Sequence, residues 1–423
     1  MTKLRLACAV LCCPFTMLAH AVRARPTWSL IICAGVAIAG GWLSLGVWIG
    51  WQLESAERAC RLHNYEEGRV HVDRVLALRR NHYRANILAA RIHRGLQEYA
   101  RAEAHLLLCK PHADHEFHTE WLLLRAQRAE FPQREMPLRT RLRDASYREP
   151  LVLETMVYCL YRESRFPTAE YYIERWLEQA PDDAVGHCWR GAVHSRTGKT
   201  SDARHDFERA LALEPEFWNA RFQLAGVLLQ RLDLVELPEH LRALESSGWR
   251  PTDVSLLAGM YHLARNELEA ADQRFADVLR VKADYPAALF QRGRVALRRQ
   301  QFQQAEDWLR RAIQLDPQNG NARYALYQCL LQQLGREKSA ADELAAYKQF
   351  TEHSKRLAAA LRRVEQGPND ADLLTEVGEF YLQQQQSFLA HQYLTRALRL
   401  QPGHDRAERA LEEVSKIIKS AGP

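Results

Sequence analysis

Between about residue 55 and residue 404 the apolar positions fall into a signature that returns every ~34 residues. Its cleanest copy runs Gly191, Gly198, Ala203, Phe207, Ala210, Pro215. Two further copies share its offsets: Gly293, Ala305, Leu309, Ala312, Pro317, and Gly378, Ala390, Leu394, Ala397, Pro402. Each copy predicts two amphipathic helices, A and B. Small residues sit where the two cross, larger apolar residues fill the layer between pairs, and a proline closes B. The unit near Pro150 carries the plan with Val157, Ala169, Ile173, Trp176 and Pro181, and the unit near Thr252 with Gly259, Ala271, Phe275 and Val278. The unit near Trp218 keeps Leu224, Leu228, Leu241 and Leu244 but has no small residue in helix B. The unit near Gly320 fits with about one inserted residue.

Upstream the copies decay. Tyr83 to Asp114 retains Ala89, Ala90, Ala102, Leu106 and Cys109, while 55–82 and 116–149 are helical by periodicity but match loosely. Downstream, 339–366 predicts one long helix, broken by Gly367, Pro368, Asn369 and Asp370 before the last unit. Leu411, Val414 and Ile417 share one face of a closing helix within 405–423. About nine units and no strand result.

At these positions the chain resembles the tetratricopeptide repeat family, most closely over 150–404 and more loosely over 52–149. The resemblance implies an all-α, right-handed α-solenoid whose concave wall is lined by helix A. It also implies a generic role in binding protein or peptide. The helix A positions that would face the groove read Tyr158, Tyr161, Phe222, Met260, Phe290, Arg294 and Tyr324. Aromatics mixed with arginine suit capture of an extended or helical segment, a few anchors carrying most of the energy. The alternative is that the same rings pack against the adjacent helix A. Some relatives hold a terminal carboxylate with Lys and Asn at set helix A positions in three successive units. Here those positions read, for instance, Val185 and Cys188, then Asn219 and Phe222, so that clamp is absent.

A second pattern precedes the repeats. Residues 28–51 carry no charge, include Leu30, Ile31, Ile32, Val36, Ile38, Leu43, Leu45, Val47 and Ile49, and are apolar on every face. That length crosses a ~30 Å hydrocarbon core, with Trp28, Trp42, Trp48 and Trp51 towards its ends. The expectation is one transmembrane helix contacting the lipid bilayer. Arg23 and Arg25 flank its N-terminal side, which positive-inside counting places in the cytoplasm. The repeats then lie on the extracytoplasmic side, in the manner of a single-pass protein of a bacterial inner membrane. Residues 1–27 read either as a cytoplasmic segment or as signal-like, with Lys3, Arg5 and an apolar stretch before Ala19 and Ala21. A start at Met17 would leave a clean anchor.

Charge adds little. The chain carries a net +6, with 22 Lys/Arg against 14 Asp/Glu in residues 1–150 and 36 against 38 thereafter. With no basic stripe and no nucleic-acid-binding module, a nucleic-acid partner is not expected. Arg162, Arg196 and Arg298 share the last turn of helix A in three units. They form either a basic ladder or charges that complement helix dipoles. The nine cysteines have no disulfide or zinc-ribbon spacing and read as small buried residues. Cys109, His112, His115 and His118 offer zinc- or copper-type ligands, but Pro111 bars a regular helix through them. A solvated turn is favoured over a metal site. No phosphate loop, Gly-x-Ser-x-Gly or His-Glu-x-x-His is present. No catalytic residue, cofactor or small-molecule substrate is therefore expected. The function expected is a membrane-anchored scaffold that binds a protein partner. The alternatives are a cytoplasm-facing envelope assembly or biogenesis factor, and a metal-handling protein built on Cys109, His112, His115 and His118.

Overall fold

The computed structural model describes the backbone of residues 26–144, 150–367 and 369–420. Side chains are described from residue 44 onward, apart from 129–133, 143–149, 365, 368 and 418–423. Among the described residues the regular structure is helical, with no strand. The helices are α1 (Pro26–Arg61), α2 (Tyr65–Leu78), α3 (Tyr83–Gly95), α4 (Tyr99–Cys109), α5 (His115–Arg125), α6 (Phe131–Asp144) and α7 (Pro150–Arg162). There follow α8 (Phe166–Gln179), α9 (Ala184–Arg196), α10 (Thr200–Leu213), α11 (Trp218–Gln230), α12 (Leu237–Ser247), α13 (Pro251–Ala264) and α14 (Leu268–Val281). The last are α15 (Pro286–Arg298), α16 (Phe302–Leu315), α17 (Gly320–Leu331), α18 (Glu337–Gln366), α19 (Ala371–Gln383), α20 (Ser387–Leu400) and α21 (Asp405–Ser420). They pair as ten A–B hairpins and one closing helix, one unit more than the sequence count.

The first unit, a loose match over 55–82 in sequence, begins inside α1. The end of α1 serves as its helix A, burying Leu53, Ala56 and Cys60 against Val72 and Val75 of α2 and Ile92 of α3. Helix α1 is continuous through residue 51, and Ile49 is buried in the same cluster. The expected membrane segment 28–51 thus lies mostly outside the residues with described side chains, and 1–25 lies outside the described residues altogether. Among the described residues no helix is long and apolar enough to cross a membrane.

One backbone feature marks the hairpins better than any side chain. The A-to-B turn residue adopts a left-handed conformation at His63, Gln97, Ser164, Gly198, Leu232, Asn266, Gln300, Gly335 and Gln385. A Cβ makes that region unfavourable, so glycine is the fitting residue and Leu232 a costly one. Only Gly198 and Gly335 advertise the turn in sequence, which is why the copies at His63 and Gln97 are hard to see. Helix entry is signalled more plainly. Asp183 accepts hydrogen bonds from the Val185 and Gly186 amides at 2.9 and 3.0 Å, and Asn319 and Asp370 cap α17 and α19 in the same way.

Packing follows from the small residues. A Cβ on Gly191 would fall 2.8 Å from the Phe207 ring, and one on Gly259 would fall 2.5 Å from Phe275. Both rings are fully buried and have nowhere to move. Successive A helices touch one another from α1 and α3 through α15 and α17, whereas B helices chiefly meet the A helices beside them. An array in contact along one side only must curve towards that side, so the A helices form its inner wall. In the third unit a π-helical turn at Ala126–Glu130 and Pro137 inside α6 disturb the regular period. Leu138 and Leu142 are nevertheless buried there. The 30-residue α18 separates α17 from the last hairpin, and α21 closes the stack against α19 and α20.

Candidate functional site

The inner wall divides into two regions. In the first, α7, α9 and α11 receive the turn between α1 and α2. Leu62 enters the apolar cluster of Ala184, Cys188, Phe207, Phe217 and Leu224. His63 Nε2 meets Glu154 Oε1 on α7 at 2.5 Å, and the Asn219 amide on α11 lies 3.4 Å from His63 Nδ1. The two contacts suit a ring that donates through Nε2 and accepts at Nδ1. The same ring stacks on Tyr65 at 5.7 Å and meets Phe217 edge-on at 5.7 Å. The A–B turn of the second unit adds Gln97, whose side-chain amide donates to the Tyr158 hydroxyl at 3.2 Å.

The buried charges of this region are compensated within it. Burial alone would raise the Glu154 carboxyl, but His63 and Arg94 outweigh it and keep the group below its ordinary value. The Tyr65 hydroxyl is pushed well up by burial and by Glu154. Behind it Glu120, 1% exposed, receives Arg91 at 2.6 Å and Arg94 at 3.2 Å. Those two charges overcome the burial that would otherwise raise the Glu120 carboxyl, and hold it low.

Of the sequence-predicted groove residues, Tyr158 and Tyr161 belong to this filled region. Both rings meet Trp189, at 6.2 and 5.7 Å, and both pack on the core around Met156 and Leu160. Phe222, Met260, Phe290, Arg294 and Tyr324 line the second region, on α11, α13, α15 and α17. Phe222 tilts against Trp249 at 5.5 Å, and Phe290 is half-buried beside Ala296 and Leu330. These rings therefore serve both descriptions, being wall and inter-unit packing at once. Tyr324 is 40% exposed and gathers Tyr327 and Tyr347 at 5.7 and 5.1 Å.

Helix α15 carries three arginines, and Arg299 caps its C-terminus; the four have two fates. Arg292 meets Asp272 at 2.8 Å and Arg299 meets Glu269 at 3.3 Å, both across to α14. Arg294 instead donates to the neutral Gln291 side chain at 2.8 Å and lies over the Phe290 ring at 5.7 Å. Arg298 donates to the Leu263 carbonyl and to Asn266, at 3.1 and 3.2 Å. Burial first, and then the neighbouring Arg298 charge, hold the Arg294 guanidinium below its usual range. The ladder reading fares differently along its length. Arg162 donates to the Gln127 carbonyl and Arg298 to that of Leu263, as carbonyl-directed cations do, while Arg196 lies over Phe166 at 6.0 Å.

The metal reading fails on geometry. Cys109 points into the core towards the Tyr83 carbonyl, His112 meets the Tyr83 ring, His115 contacts Arg141, and His118 lies against Phe117. Among the described residues no three His, Cys, Asp or Glu converge as metal ligands. The five cysteines described are free and buried. Burial raises the Cys60 thiol to about 12 and the Cys109 thiol to about 11, so neither is a ready nucleophile. Sequence reasoning missed His63, Tyr65, Glu154 and Phe217. The available signal was the period itself, which places His63 one unit before Gln97 at the turn position.

The class follows from hairpins, period and wall together. Tetratricopeptide repeat profiles match residues 286–319 and 190–244, so the chain contains tetratricopeptide repeats in those stretches. An 89-residue segment is 43% identical to part of cellulose synthase operon protein C of Xanthomonas axonopodis pv. citri, covering 20% of this chain and 6% of that protein. Among solved structures, a TPR protein of Thermus thermophilus is 23% identical, covering 47% of this chain and 99% of its own, with a TM-score of 0.35. PilW, a type IV pilus biogenesis factor, is 14% identical, covering 49% of this chain and 91% of its own, with a TM-score of 0.40.

Proposed function

We propose that this chain is a non-catalytic, membrane-anchored scaffold that captures a protein partner along the open region of its concave wall. The observation carrying this reading is the difference in occupancy. One region of the wall is filled by the chain's own turn from α1 and α2, whereas in α11 to α17 Phe222, Met260, Phe290 and Tyr324 stay partly exposed, with Phe222 against Trp249 and Tyr324 against Tyr347 of the neighbouring α18. Aromatic anchors in such walls lose ~2 kcal/mol or more on truncation. The uncharged run 28–51 supports the anchor, and Arg23 and Arg25 support an extracytoplasmic array. The segment matched in the cellulose synthase operon protein is too small a share of that protein to bring its role with it.

The test is crosslinking and pull-down of the full chain from native membranes, comparing wild type with Phe222→Ala/Phe290→Ala and with Tyr324→Ala. Captured protein should fall at least about a hundredfold in the double variant, with helicity retained. Tyr324→Ala removes the most exposed of these rings and so tests the wall at the loss of only its contacts with Tyr327 and Tyr347. Capture unchanged in both variants would place the binding surface on the convex face or the loops. Protease protection of the array in sealed, right-side-out spheroplasts would reverse the proposed topology.

A further inference from the structure

The filled region shows how this wall recognises an occupant. Its half-buried carboxylate, Glu154, is answered by a donor that the turn supplies, His63 Nε2 at 2.5 Å. The position five of helix A that is Glu154 in α7 is Phe290 in α15, and position nine, Tyr158 in α7, is Arg294 in α15. The sign of the wall therefore reverses between the two regions. In α7 the wall offers an acceptor and the occupant brings the donor. In α15 the wall offers donors whose acceptors are all neutral: Gln291, Asn266 and the Leu263 carbonyl.

The arginines of α15 and its C-cap make the point within one element. Arg292 and Arg299, which face α14, have carboxylates on Asp272 and Glu269. Arg294 and Arg298, one turn apart, have only an amide, backbone and ring partners, and no carboxylate among the described residues. Two like charges at this spacing repel each other, and a half-buried guanidinium left with neutral partners is under-compensated. A carboxylate accepts two parallel N–H bonds from a guanidinium and would relieve both deficits. The Phe290 ring beneath Arg294 supplies an apolar floor for the carbon skeleton beside that carboxylate.

We propose that the open region of the groove recognises an acidic peptide segment of its protein partner, an Asp or Glu carboxylate seating on Arg294 and Arg298 with an adjacent aromatic side chain against Phe290 and Tyr324. This rests on the reading of the concave wall as the binding surface. It adds the chemistry of the partner. The wall selects acidic over neutral or basic segments, and its two arginines are the selecting groups.

Fluorescence anisotropy on the full chain in detergent micelles tests it, using a labelled decapeptide that alternates glutamate with phenylalanine. Isosteric glutamine and lysine versions are the comparisons. The glutamate peptide should bind at least about tenfold more tightly than the glutamine one, with the lysine version weaker still. Arg294→Glu/Arg298→Glu should abolish that preference, and Arg209→Glu, on the convex side, should preserve it. Equal binding of glutamate and glutamine peptides, or a preference that survives the double reversal, would overturn the proposal, as would no binding of the glutamate peptide. The two readings fail differently. If Phe222→Ala/Phe290→Ala removes binding of every peptide while charge reversal changes nothing, the groove stands and the acidic preference falls. If the preference is lost on charge reversal but binding is indifferent to the aromatic pair, the arginines act outside an aromatic groove.

Discussion

The two regions of the inner wall are built from the same repeat and put to opposite uses. In the filled region, charged and aromatic side chains meet partners supplied by the chain itself, across 91 residues for His63 and Glu154 and 156 for His63 and Asn219. In the open region the corresponding positions keep aromatic groups packed on neighbouring elements and cationic groups whose acceptors are neutral. A helix A position therefore has no fixed role. What decides it is whether the superhelix brings another part of the chain within reach. The charges of the filled region are structural, and a change there should unfold the protein. Those of the open region should be dispensable for folding.

The largest expected effect is the loss of Glu120. Glu120→Ala removes the buried carboxylate that Arg91 and Arg94 share, leaving Arg91 only the exposed Glu116, which costs about 3–5 kcal/mol. Urea unfolding of the full chain in micelles should show it as a large fall in midpoint. Arg294→Ala, its counterpart in the open region, should shift the midpoint little. Equal losses at both sites would erase the distinction between the regions. Truncation of the plug comes next. Tyr65→Ala removes a partly buried ring that covers Gly95 and stacks on His63, at about 3 kcal/mol. Near-UV circular dichroism and the thermal midpoint should both report the loss.

Much of this architecture is legible in the chain before any fold is known. Gly191, Ala203, Phe207 and their equivalents specify helix crossings because a Cβ or a larger ring at those points has no room. The residues that fill the groove are different in kind. His63, Tyr65 and Glu154 satisfy no periodic rule of their own, since their contact depends on the summed rotation of several units. Small angular increments per repeat are not written in any one copy. The first unit was obscured for a second reason. His63 occupies a left-handed turn position that Gly198 fills in the clearest copy, so the side chain conceals the turn. The same concealment holds at Gln97, Leu232 and Gln300. Arg294 was legible as a wall residue, but its lack of a carboxylate was not, because Asp272 lies as near in sequence as many partners do.

A smaller effect tests the border of the filled region. Glu163, at the end of α7, is pushed up to about 7 by burial, with Glu135 adding to the rise and Arg165 opposing it. A carboxyl raised in the folded state binds its proton more tightly there than when unfolded. Its contribution to stability is therefore present at low pH and is lost as pH rises from about 4.5 through about 7. Glu163→Gln should flatten that part of the stability–pH profile and raise the midpoint at pH 8 relative to wild type. A parallel profile would mean that Glu163 is ionised and compensated throughout. The smallest effect is expected at Leu232. Leu232→Gly relieves a left-handed Cβ conflict of about 1–2 kcal/mol but adds unfolded-state entropy of about 0.5–1 kcal/mol, for a net gain of at most about 1 kcal/mol.

Hydrogen exchange of the full chain, with and without the saturating glutamate–phenylalanine peptide, tests the central claim most directly. The account predicts new protection confined to α13, α15 and α17, with exchange at residues 62–65 and along α7 unchanged. Faster exchange at 62–65 on binding would show the ligand displacing the turn. That result would contradict the division of the wall into a filled structural region and an open binding region.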